Sequence, residues 1–166
     1  MNALQNARFK IKLLVVSCSI LLIDSCQENQ IPFIEPASGS NLKEFRLGES
    51  DYYLSLPDNL RVSEARGKEG QLGYDIIPND TSSTMFGSIE ILPGIPIGDL
   101  TENGSATAFA KSFLSNKKVT WKIYKTETGY FDSFSTENGD LSARASSTNR
   151  GEIDRLVSII ATLRKK

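Results

Sequence analysis

The chain has 166 residues, 39% of them hydrophobic and 23% charged, with 19 basic and 20 acidic side chains. Such a balance suits one soluble domain with its own core and lacks the basic excess of a nucleic-acid binder. Histidine is absent and cysteine occurs only at positions 18 and 26. Ser-His-Asp catalysis and Cys/His zinc sites are therefore excluded.

The first 12 residues carry Arg8, Lys10 and Lys12 and no acid, and an uncharged run, Leu13 to Ile23, follows. Eleven residues are too few to span a bilayer as a helix, which takes about 20. A basic start before a short apolar run is the arrangement of a secretory signal peptide. The next residues, Ile23-Asp24-Ser25-Cys26, resemble the lipobox of bacterial lipoproteins: aliphatic three places before the cysteine, small just before it. Val15-Val16-Ser17-Cys18 is a competing box, but Lys12 leaves it almost no apolar run. The resemblance implies that residues 1–25 are removed and that Cys26 carries a diacylglycerol thioether and an N-acyl chain such as palmitate. Several chains on one residue give stable anchoring. Gln27, where an Asp would retain the protein at the inner membrane, implies the outer membrane, facing the periplasm. Without Arg8, Lys10, Lys12 and Asp24 the remaining chain has 16 basic and 19 acidic residues, a net of −3.

Residues 26–42 read as the lipidated cysteine and a flexible tether, with two prolines and Ser38-Gly39-Ser40. Ile31, Phe33 and Ile34 are out of character there and could pack back onto the domain. Residues 43–166 read as one globular domain. Short strands are expected at Lys43–Leu47, Asp51–Leu56 and Leu60–Ala65, and better ones at Leu72–Ile77 and Met85–Leu92, an antiparallel hairpin across Asn79–Ser83. Ala106, Phe109, Ala110, Phe113 and Leu114 fall at helical spacing, so a helix is expected over 106–114, capped by Asn103 or Ser105. Strands follow at Val119–Thr126, Tyr130–Ser135 and Leu141–Ser147, the last two joined through Asn138-Gly139. A final helix starts at Asn149, paired with Glu152 as in a capping box, and buries Ile153, Leu156, Val157 and Ile160. The basic Arg164-Lys165-Lys166 would complement its C-terminal dipole.

This order predicts an α+β fold: a mainly antiparallel sheet of six to seven strands flanked by two amphipathic helices. Tyr52-Tyr-Leu-Ser-Leu-Pro57, the mid-chain helix and Glu152 to Leu163 resemble the PsbP-like α/β/α sandwich superfamily, a resemblance covering residues 43–166. It implies no functional residue.

Chemistry is sparse. Asp75 and Glu90 read as solvated acids on the hairpin, and Glu137 and Asp140 as turn residues. Gly67 to Gly70 is a lone glycine-rich turn. Ile91 to Leu100 is a stiff loop in which Pro93, Gly94, Ile95, Pro96 and Ile97 form a candidate partner-binding tip, or else pack onto the core. Trp121, Tyr124, Tyr130, Phe131 and Phe134 are too dense to hide unless both sheet faces are covered; a residue left exposed would mark a partner surface. No catalytic residue, metal ligand or cofactor is expected. The expected role is non-enzymatic: an envelope lipoprotein, membrane-bound through its anchor, whose periplasmic domain binds another protein. An immunity protein against a periplasmic toxin and a small-molecule or lipid carrier are the alternatives.

Overall fold

The computed structural model describes residues 31–66, 72–91, 106–137 and 140–166. The signal peptide and Cys26, the Gly67–Gly70 turn and the Pro93–Ile97 loop lie outside them. Ile31 to Lys166 is a compact unit by itself. All strand pairings and core residues among the described residues lie within it, so this part carries its own fold.

Among the described residues ten strands and a helix follow one another. They are β1 (Leu42–Arg46), β2 (Tyr52–Pro57), β3 (Leu60–Arg66), β4 (Leu72–Pro78), β5 (Phe86–Ile91), β6 (Ala108–Leu114), β7 (Lys117–Lys125), β8 (Phe131–Glu137), β9 (Leu141–Ser147), α1 (Arg150–Ile160) and β10 (Arg164–Lys165). Seven strands make one sheet in the order β3-β4-β5-β9-β8-β7-β6, and β1-β2-β10 make a second. Every neighbouring pair is antiparallel. The large sheet is two meanders, β3-β4-β5 and β6-β7-β8-β9, joined where β5 pairs with β9.

The expected pair of flanking helices is not there. Among the described residues α1 is the one helix, and the segment expected to be the other is strand β6. The PsbP-like α/β/α sandwich is therefore incorrect for this chain. The reason is local. Ser115 and Asn116 both take positive φ, 50° and 65°, and Leu114 pairs with Lys117 across them. Two left-handed residues make the tight primed turn whose twist matches antiparallel strands. Read at period 2, the same residues bury Ala110, Ser112 and Leu114 and turn Phe109, Lys111 and Phe113 outward.

One face of the large sheet carries the core. Tyr74, Ile76, Ile89, Ala110, Leu114, Trp121, Ile123, Leu141, Ala143 and Ala145 line it, and α1 covers it with Ile153, Leu156, Val157, Ile159 and Ile160. Leu54 and Leu56 of the small sheet join the same core. Small residues let the helix come close: a Cβ at Gly87 would meet Leu156 at 3.3 Å. Gly48 is needed on two counts, a φ of +54° and a Tyr74 hydroxyl that would lie 2.6 Å from any Cβ there.

The helix begins as expected at Asn149, whose side chain accepts from Gly151 N at 2.9 Å. Glu152 does not reach back to Asn149 N; Ser147 stands between, accepting from that N–H at 3.1 Å and donating its hydroxyl proton to Glu152. The C-terminal basic run does not belong to the helix. It forms β10, which pairs with Tyr52 and Tyr53, while Arg164 and Lys166 bridge to Glu44.

The fold begins earlier than residue 43. Lys111 N donates to Pro32 O and Ile34 N donates to Lys111 O, both at 2.8 Å, so residues 32–34 clasp the free edge of β6. Ser112 Oγ donates to Ile34 O at 2.7 Å, and Ala37 N donates to Ser158 O of α1 at 2.8 Å.

Candidate functional site

The second face of the large sheet has no helix or strand over it among the described residues. Alternation along each strand puts there Asp75, Phe86, Ser88, Glu90, Ser142, Arg144, Ser146, Asp132 and Phe134 in the centre. At the β6 edge the same face carries Tyr124, Lys122, Lys118, Lys111, Phe113 and Phe109. The registers that set this are Ser88 opposite Arg144, Arg144 opposite Phe134, Phe134 opposite Lys122 and Lys122 opposite Phe109.

The centre is ordered by its own side chains. Arg144 donates to Asp132 at 2.9 Å while its guanidinium lies over the Phe134 ring, 5.1 Å from the centroid. Tyr124 meets Phe134 edge-on at 6.4 Å. Ser142 Oγ donates to Glu90 at 3.3 Å. Asp75, expected to be solvated, is half-buried, and burial pushes its carboxyl above the ordinary carboxylate range. Of the aromatics flagged by density, Trp121 is fully buried, Phe131 packs at the core margin, Tyr130 is 38% exposed, and Tyr124 and Phe134 stand on the uncovered face.

The β6 edge has a different character. From Ala108 to Lys125 the chain has five lysines, at 111, 117, 118, 122 and 125, and no acid. Lys111, Lys118 and Lys122 are exposed on the uncovered face. Phe109 is 44% exposed among them, and Phe33 is 38% exposed, its ring edge-on to Phe113 at 5.3 Å. Lys117 lies on the opposite face, where it donates to Glu137, and that bond is the main cause holding the lysine pKa above its ordinary value. Glu137 is thus a buried ion-pair partner rather than a turn residue alone. The lysine-rich hairpin was readable in the sequence, but only once 106–114 is taken as a strand; at helical period Lys111 stands alone.

Among the described residues no three His, Cys, Asp or Glu side chains are grouped to hold a metal, and no helix is long and apolar enough to cross a membrane. Among the described residues two buried polar groups lack a partner, the Tyr74 hydroxyl and Trp121 Nε1. Ser50 lies beside Tyr74 but donates to Leu47 O at 2.6 Å, and burial drives the tyrosine pKa upward. Both groups sit within the packed core.

Compared with models of known protein families and with curated proteins, the chain matches none.

Proposed function

We propose that this chain is a binding protein of the bacterial envelope, held to the membrane by acylated Cys26, that engages a protein partner through the centre of its uncovered sheet face. The observation that carries the reading is the Arg144–Phe134–Tyr124 group. Arginine and aromatic residues dominate protein interfaces, above all where packing has already fixed them. Here the guanidinium is held by Asp132 and by the ring beneath it, so little freedom is lost on docking. The signal-peptide pattern and the Ile23-Asp24-Ser25-Cys26 box support the address.

Affinity capture from detergent-solubilised envelopes tests the partner. Recovery of one protein in fixed ratio is expected, with Arg144→Ala or Phe134→Ala weakening it about thirtyfold, the scale of an interface hot spot. Capture that both variants leave unchanged, or repeated failure to recover any partner, counts against the reading.

A further inference from the structure

We propose that the β6–β7 edge is a lipid-docking surface that lies against anionic headgroups. Three features converge on it. Lys111, Lys118 and Lys122 project from one face of the hairpin, whose 18 residues from Ala108 to Lys125 include no acid, although the whole chain carries a net charge of −1. The charge is therefore concentrated at one edge and complementary to an anionic surface. Phe33, Phe109 and Phe113 are interleaved with the lysines, two of them substantially exposed. Aromatic rings with lysines around them suit a membrane interface, where the rings enter the headgroup layer and the long aliphatic stems keep each ammonium at its level. Among the described residues the two acids of the neighbouring strand β8 are committed elsewhere, Asp132 to Arg144 and Glu137 to Lys117.

The third feature is reach. Pro32 is pinned to Lys111 by a 2.8 Å hydrogen bond, and only five residues, Gln27 to Ile31, lie between it and Cys26. Fully extended, they reach roughly 20 Å. An acyl anchor on Cys26 would thus keep this edge within reach of the bilayer. Electrostatic attraction acts within a Debye length, about 8 Å at physiological salt, so placement at the surface makes the lysines effective. This orientation rests on the acylation proposed above; the lipid affinity itself does not.

The test separates the two. A chain of Gln27 to Lys166, which lacks the acylation site, is floated with phosphatidylcholine vesicles and with vesicles in which a third of the lipid is phosphatidylglycerol. Binding to the anionic vesicles alone, weakened by added salt, is expected. Each lysine at an anionic surface strengthens binding about fivefold, so Lys111→Gln with Lys118→Gln should lower partitioning about 25-fold. Phe109→Ser should lower it further. Arg61→Gln, at the opposite edge of the same face, should leave it unchanged. All variants are exposed polar or surface changes, and unaltered thermal melting verifies that they fold. Absence of flotation by the unsubstituted chain overturns the docking surface even if Cys26 proves to be acylated. So does flotation that the lysine substitutions leave intact, or a preference for single-stranded nucleic acid, the other ligand that lysines among aromatics can hold.

Discussion

Asp75 occupies a position where its charge opposes folding. It is half-buried on β4 with Ser63 and Ser88 on either side, and the dominant effect on its carboxyl is loss of solvent, which favours the protonated form. A folded-state pKa above the unfolded value means the native chain holds its proton longer. Stability is then greatest below the unfolded pKa and falls as pH rises through the folded one. Asp75→Asn removes this dependence. The expected result is a higher melting temperature at neutral pH and no difference below about pH 3, where both states of the native Asp75 are protonated. Equal effects at both pH values would show that the substitution acts through packing instead. Trp121 poses the reverse case: its ring fills the core while its Nε1 has no partner among the described residues, so the hydrophobic area outweighs one unmade hydrogen bond.

At the scale of the element, β6 decides the architecture. Ala106, Phe109, Ala110, Phe113 and Leu114 satisfy a helical period and a strand period almost equally well, which is why periodicity misled over this stretch. What separates the two is the turn behind it, and Ser115-Asn116 is a weaker signal than Asn-Gly. Asparagine tolerates the left-handed region and a β-branched residue does not. Urea unfolding should therefore find Asn116→Gly neutral or slightly stabilising and Asn116→Val destabilising by about 1–3 kcal/mol. Equal stability of the two would mean that the turn does not hold β6 in its strand form. Elements with an unambiguous period were legible: β4, β5, β7 and β9 alternate as their sequences do, and α1 starts at its expected cap. The pieces that were not legible depend on distant partners. β10 exists because β2 accepts it, more than 100 residues earlier, and residues 32–34 are ordered by an edge strand that local sequence does not reveal.

The unit from Ile31 to Lys166 is two-sided. One face of the large sheet is sealed by α1 and the small sheet, and the other displays a guanidinium–aromatic centre and a lysine-rich edge. That division could not be read from composition, because net charge averages over the hairpin and the acids elsewhere. The clasp of residues 32–34 leaves five residues between Cys26 and the segment bound to the basic edge. The envelope assignment turns on the state of residue 26 in the cell. The direct measurement is the mass of the N-terminal peptide of the native protein, extracted from the membrane fraction. A chain that starts at Cys26 and carries a diacylglyceryl thioether and an N-acyl group is the expected result. A leader still attached, or a free thiol at position 26, would contradict it.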